Sequence, residues 1–231
     1  MTAVLLDIEG TTTPVAFVYD VLFPYAWRRI ATYLERHWTE AGVLDIRARF
    51  SLEQSKEDPS PGFDIATLAG AAGFVAWLME RDRKSPGLKY LQGMIWNEGY
   101  RDGALKGDVF ADVPPAIERW HRAGVAVAIY SSGSALAQQL LFASTAAGDL
   151  TPMLSGYFDT SVGAKTEAAS YTRIAEAMHR AASDILFVSD TPAELTAARE
   201  AGCRVAMSLR PGNAVAEAPA GIRTIHTFDE L

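Results

Sequence analysis

Short apolar runs and longer amphipathic stretches alternate along this chain. Residues 3–6, 125–130, 185–188 and 204–207 are brief, mostly apolar and bounded by turn residues, the way strands buried on both faces read in sequence. Between or after them, 114–122, 135–146, 167–180 and 192–201 carry apolar and polar residues at helical spacing. The alternation predicts an α/β fold built on a doubly wound parallel sheet. One interval breaks it. From Val15 to about Lys106, strand-like runs are few, and Val18, Val21, Leu22 and Tyr25, then Leu68, Phe74, Val75, Leu78 and Met79, fall at helical spacing. These residues predict a helical insertion over 15–106 after the first strand, with the polar segment 55–62 as a loop inside it and a core made of 1–14 and 107–231.

Composition narrows the setting. A chain of 231 residues with 49% hydrophobic content has ample material for a packed interior. Its longest nearly apolar run, 68–79, is too short to span a bilayer, and the N-terminus lacks the basic start and cleavage pattern of a signal peptide. A soluble cytoplasmic protein is expected, with no membrane partner and acting as a monomer. Cys203 is the single cysteine, so the chain has no internal disulfide and no thiolate cage for a metal, and a small buried residue is expected there. A net charge of −7 and a pI near 5.1 argue against nucleic acid. An anionic small substrate is compatible with that charge if local donors or a metal offset it.

In open α/β sheets the chemistry gathers beyond the carboxyl ends of the strands. The first such end is LLDIEGTTTP, where Asp7 and Glu9 lie two residues apart and therefore face one spot with like charges. That arrangement is costly unless a cation or a shared proton occupies the spot. The second is AIYSSGS. Ser131 and Ser132 follow a strand while Gly133 and Ser134 lead into a helix, so the segment reads either as an anion cradle or as a helix cap. The third is Lys165, just before a helix that Thr166 could cap; a lysine there opposes the helix dipole, though a solvated surface lysine fits as well. The fourth is LFVSDTPAEL. Thr191, Pro192 and Glu194 fit cap, first helical position and capping-box acid, which leaves Asp190 free for another task. Asp112, before Val113 and Pro114, is expected to cap its helix.

Carboxylates, hydroxyls and an ammonium on one sheet edge form an oxygen-rich site that suits Mg2+ rather than zinc, and a phosphate monoester is the economical substrate. Hydrolysis needs a nucleophile, charge neutralisation on the phosphoryl group and an acid for the leaving oxygen. Asp7, then Mg2+ with Lys165 and Ser131, then Glu9 would fill those roles.

The order Asp-x-acid-Gly-Thr, strand-end Ser, Lys before a helix and strand-end Asp resembles the haloacid dehalogenase superfamily, in which a helical cap follows the first strand. Most phosphatases of that superfamily carry a second Asp where this chain has Glu9. With that departure, the stretches DIEGTTTPVAFVYDVLFPYA, LKYLQGMIWNEGY, VFADVPPAIERW, IYSSGS and RPGNA are similar to the superfamily's enolase-phosphatase branch. The resemblance implies enolisation of a small phosphorylated diketone, followed by release of phosphate. It further implies that Asp7 is nucleophile and Mg2+ ligand, and that Glu9 binds the metal through its carbonyl while its side chain moves protons. Asp190 would complete the metal site, Ser131 and Ser132 would hold phosphate, and Lys165 would contact phosphoryl oxygens and Asp7.

Other conspicuous residues take plainer readings. His37, His121, His179 and His226 are scattered without ligand spacing, and Trp27, Trp38, Trp77, Trp96 and Trp120 pattern mostly as helix-packing residues. A different capped phosphatase shares the catalytic set, but Glu9 and TTTPVAFVYD argue against it. A dehalogenase has no leaving oxygen for Glu9 to protonate. A phosphorylatable receiver domain is near half this length and lacks the insertion.

Overall fold

The structure is a computed structural model and describes residues 2–81, 83 and 85–231. In chain order its elements are β1 (Ala3–Leu6), α1 (Phe23–Arg36), α2 (Ala41–Gln54), α3 (Leu68–Glu80), α4 (Pro86–Arg101), α5 (Val113–Arg122), β2 (Ala126–Tyr130), α6 (Ala135–Ala143), β3 (Gly156–Phe158), α7 (Ala168–Ala177), β4 (Ile185–Ser189), α8 (Pro192–Glu200), β5 (Arg204–Ser208) and β6 (Arg223–Ile225). Every strand pairing is parallel, in the order β3-β2-β1-β4-β5-β6. This is the doubly wound α/β sheet expected from the alternation. All four residues of β1 are buried, as a central strand covered on both faces must be. The chain winds outward from β1 in one direction and returns to β4 on its other side, so the strand order reverses at β1. Leu6 is level with Ile129 of β2 and Val188 of β4, which brings the ends of these three strands side by side.

Contacts divide the chain into two compact units, one made of residues up to Asp20 with Gly103–Leu231, the other of Val21–Asp102. The second unit holds α1 to α4 around Leu34, Ile46, Phe50, Phe74 and Leu91, each buried to 0% exposure. Phe50 and Phe74 meet edge to face at 5.5 Å, and Trp96 donates its indole N–H to the Leu22 carbonyl at 2.9 Å. Residues 55–62 form the expected loop, outside any helix. In the first unit, Tyr130, Tyr171 and Phe187 form a fully buried aromatic chain with centroid separations of 5.6 and 5.0 Å. Cys203 is buried there too.

Two strands escape the sequence pattern. β3 and β6 have three residues each, GYF and RTI, with mixed burial, too short for a run or an alternation to emerge. α6 and α7 also stop before the expected positions 146 and 180; after α7, His179 turns the chain with φ 53°.

Asp112 does not cap α5. A capping side chain accepts from the second or third helical N–H, and here those positions are Pro114 and Pro115, which have none. The freed carboxylate instead takes both arms of Arg210, at 3.0 and 2.9 Å, and the Phe228 amide at 2.6 Å. Arg210 also donates to the carbonyls of Thr11 (3.1 Å) and His226 (2.7 Å), and its guanidinium lies between the rings of Phe110 and Phe228. Its side chain is 2% exposed. Arg210→Met would leave Asp112 facing a desolvated space without its partner. We expect a loss of about 3–5 kcal/mol in urea unfolding, the scale for breaking a buried ion pair from one side. A simultaneous Asp112→Asn exchange should cost less than the sum of the two single changes.

Candidate active site

Asp7 continues β1 by one residue: its amide donates to the Val188 carbonyl at 3.0 Å, and its side chain is 6% exposed. The backbone then folds into a tight turn. Ile8 O receives the amides of Thr11, Thr12 and Thr13, and Gly10 N reaches Thr13 O at 2.8 Å. Gly10 closes this turn with φ +70°, a region costly for any residue with a Cβ, and a methyl group there would collide with Asp190 Oδ2. Thr12 Oγ1 donates back to Asp7 O at 3.0 Å. The threonines therefore lock the exit of β1 and leave the two carboxylates facing the sheet edge. The carbonyl of Glu9 accepts no hydrogen bond from any described residue, and the amides of Ile8, Glu9 and Ser132 find no acceptor.

Lys165 is not a surface lysine. Its side chain is 10% exposed, with Nζ 2.5 Å from Asp7 Oδ1 and 2.7 Å from Glu194 Oε2. The loop bearing it is held by Tyr130 Oη donating to Gly163 O (3.0 Å), Ser170 Oγ to Ala164 O (2.7 Å) and Tyr171 Oη to Lys165 O (2.6 Å). Thr166 does not cap α7, which starts after Glu167 without a side-chain cap.

Glu194 is the residue that sequence reasoning missed. The expected capping box at α8 does not form: Thr191 makes no cap bond and donates to Asp190 Oδ1 (3.1 Å), while Ser189 Oγ accepts from the Thr191 amide. Glu194 turns inward to Lys165 and receives Ser189 Oγ at 2.8 Å. An acid one turn after a strand-end Asp fits capping and charge pairing equally well, and only the partner's position decides between them.

At the end of β2 the cap role falls to Ser134, which accepts from Ala137 N at 3.2 Å. Ser131 and Ser132 are left to other work. Ser131 is buried, its Oγ accepting from Gly133 N at 3.1 Å, and Ser132 is exposed.

Like charges dominate the electrostatics. Burial, then Asp7 and Asp190 against the opposing pull of Lys165, pushes Glu9 up to about 7. Burial and Asp7 raise Asp190 to about 6, and the same two causes raise Glu194 to about 7 despite Lys165 and Ser189. Burial disfavours the Lys165 charge, yet Asp7 and Glu194 together hold it above the usual lysine range. The acids thus outnumber the one ammonium among them, a donor set suited to a hard divalent cation. Among the described residues no three His, Cys, Asp or Glu side chains close on one point. A cation here would rest on the carboxylates of Asp7 and Asp190 and the unpartnered Glu9 carbonyl, with remaining positions for water and substrate. Mg2+ accepts such partial protein coordination.

Residues 1–202 match the model of the haloacid dehalogenase-like hydrolases. The chain is 53% identical to enolase-phosphatase E1 of Synechococcus elongatus, with 100% of this chain and 98% of that protein covered. It is 46% identical to enolase-phosphatase E1 of Pseudomonas aeruginosa (99% and 97% covered) and 44% identical to that of Drosophila melanogaster (91% and 84% covered). The chain belongs to the enolase-phosphatase family of haloacid dehalogenase-like hydrolases. Among solved structures, the Unknown transcript 4 protein of Saccharomyces cerevisiae superposes with a TM-score of 0.83 at 34% identity, covering 100% and 99% of the two chains. A dehalogenase at 18% identity and TM-score 0.56 shares the fold. As a member of this family the protein is a phosphatase acting on a small phosphorylated substrate. Among the described residues, no helix is long and apolar enough to cross a membrane.

Two outcomes follow from the charge pattern. Glu194→Gln should leave the fold intact and lower kcat roughly ten- to a hundredfold, because Lys165 loses one of its two anchors and shifts within the site. Unchanged turnover would show that Asp7 alone positions Lys165. The second outcome concerns pH. In the metal-free protein Glu9 ionises near pH 7, whereas the unfolded chain loses that proton near 4.5. Stability at this position is therefore full below 4.5 and falls as pH rises through about 7. Compared with Glu9→Gln, which cannot ionise, the wild type should lose urea stability across that window in chelator, and a constant difference would contradict the shift.

Proposed function

We propose that this protein is a Mg2+-dependent enolase-phosphatase that converts 2,3-diketo-5-methylthiopentyl-1-phosphate into the acireductone 1,2-dihydroxy-3-keto-5-methylthiopentene and phosphate, a step of methionine salvage. The observation that supports the reading is Glu9, a carboxyl group beside Asp7 pushed up to about 7, a value suited to both giving and taking a proton. The substrate identity is supported by the relatives' shared name and by identity over nearly the whole chain. The protein is expected to work in the cytoplasm as a monomer, with the helical insertion over 15–106 as its cap.

In the first step a proton leaves C1 and the C2 carbonyl oxygen gains one, giving the enol phosphate. Free amides at Ile8, Glu9 and Ser132 and the ammonium of Lys165 are suited to fix the phosphate. In the second step an Asp7 carboxylate oxygen attacks phosphorus, the P–O bond to the enol breaks, and Glu9 protonates the departing oxygen. Glu9 then accepts a proton from the water that hydrolyses the aspartyl phosphate. Lys165, fixed between Asp7 and Glu194, keeps its positive charge against the phosphoryl oxygens throughout. Ser131 presents its hydroxyl to the same group. Asp7, the Glu9 carbonyl and Asp190 would hold Mg2+, whose charge would offset the repulsion among these acids and the phosphate.

The deciding assay supplies the diketo phosphate and follows enol absorbance and phosphate release together. Asp7→Asn should release almost no phosphate, since an amide cannot form the acyl phosphate. Glu9→Gln should release it roughly 10²-fold more slowly. Wild-type phosphate release by either folded variant would remove that residue from its role.

A further inference from the structure

Gln138 is 1% exposed in α6, a helix otherwise made mostly of alanine and leucine, and the mechanism leaves it unused. Its neighbour Gln139 is exposed. The Gln138 carboxamide serves the loop that follows β2. Its Nε2 donates to Gly133 O at 3.0 Å and to Phe158 O at 2.7 Å, using both of its hydrogens. Phe158 O, at the end of β3, also receives the Ser131 amide at 3.2 Å, and the Gly133 amide closes onto Ser131 Oγ at 3.1 Å. One side chain therefore ties the segment Ser131–Gly133 to the neighbouring strand. The tie also sets which way the loop faces. The Gly133 carbonyl and the Ser134 amide share one trans peptide plane and point in opposite directions, so holding that carbonyl against buried Gln138 turns the Ser134 N–H to the other side. The amides of Ser132 and Ser134 find no acceptor among the described residues. Gln138 Oε1 is itself buried without a donor, a cost that an apolar residue in this helix would not carry.

We propose that Gln138 is a positioning residue for the phosphate group of the substrate: acting through the Gly133 and Phe158 carbonyls, it holds the Ser131 hydroxyl and the Ser132 amide where they receive the phosphoryl oxygens. The inference rests on the phosphate-holding role proposed above for those two serines. Donors of such a site must be held to within about 0.5 Å by their supporting residues, and a loop outside regular structure does not hold itself. Gln138 links it to a helix on one side and to a strand on the other.

The test titrates inorganic phosphate by calorimetry into the Mg2+-loaded protein and, in parallel, Mg2+ into the chelator-stripped protein. Wild type and Ser131→Ala test the phosphate role itself; if the wild type takes up no phosphate, or Ser131→Ala takes it up as tightly, that role fails, and this inference fails with it. Gln138→Met keeps the length and volume of the side chain but donates nothing. It should bind phosphate roughly tenfold more weakly, the scale for a small misplacement in a positioned site, with Mg2+ affinity unchanged because Asp7, Glu9 and Asp190 lie at the ends of β1 and β4. Gln139→Met alters the exposed neighbour and should match the wild type in both titrations. If Gln138→Met binds phosphate as the wild type does, with only its melting temperature lowered, Gln138 is a strut of the loop and the proposal is overturned. A fall in phosphate and Mg2+ affinity by the same factor would mean that the whole sheet edge has loosened, and overturns it as well. Should Gln138→Met not fold, Gln138→Asn, whose amide stops one methylene short of the two carbonyls, takes its place, and unchanged phosphate binding by that variant overturns the proposal.

Discussion

A single buried ammonium governs the carboxyl edge of this sheet. Lys165 stands between Asp7 and Glu194 at ion-pair distance, and among the described residues neither acid pairs with another cation. Charge desolvated in this way is stable only when its partners are held in place, so much of the surrounding architecture fixes positions. Tyr130, Tyr171 and Ser170 hold the loop that carries the lysine. Ser189 fixes Glu194, and the threonines fix the backbone below Asp7. Burial first, and then the neighbouring Asp7 charge that the ammonium only partly offsets, make Glu9 and Asp190 harder to ionise than free acids. A site with more carboxyl groups than its one ammonium can balance is prepared for a cation and for an acid that keeps its proton near neutral pH.

Arg210 plays the corresponding part behind the turn. It binds Asp112, Thr11 and His226 and lies between two phenylalanine rings. The side of the turn facing away from the strand ends is thus tied to α5, to the loop after β5 and to the chain beyond β6. The active-site turn is thereby fixed from both sides, by backbone hydrogen bonds within it and by side chains reaching its carbonyls.

The sequence made the sheet legible wherever a strand was long and mostly apolar, and β3 and β6 were illegible because three residues are too few to carry a period. The site was readable as strand-end chemistry: Asp7, Glu9, Ser131, Lys165 and Asp190 all lie on that edge. What local reading could not supply was the choice between equivalent uses of one side chain. Glu194 and Asp112 both satisfy a capping pattern, and both are taken by distant cations. For Asp112 the answer was latent in Pro114 and Pro115, whose missing amides rule out a cap; for Glu194 nothing local distinguishes the two fates, since Lys165 is 29 positions away in sequence (194 − 165). The Asp112–Arg210 and Glu194–Lys165 pairs exist only once the sheet has brought their strands together.

The central place of β1 also bears on how the chain matures. The strand that leads into Asp7 is made before its neighbours, and both of them, Ala126–Tyr130 and Ile185–Ser189, lie more than a hundred residues downstream. Parallel pairing over such separations closes long loops before any ladder forms, a slow event in folding. During synthesis an apolar strand therefore waits without partners, exposed to association with other chains. The sheet edge can acquire its chemistry only when the last third of the polypeptide has emerged, so catalytic competence arrives late and all at once.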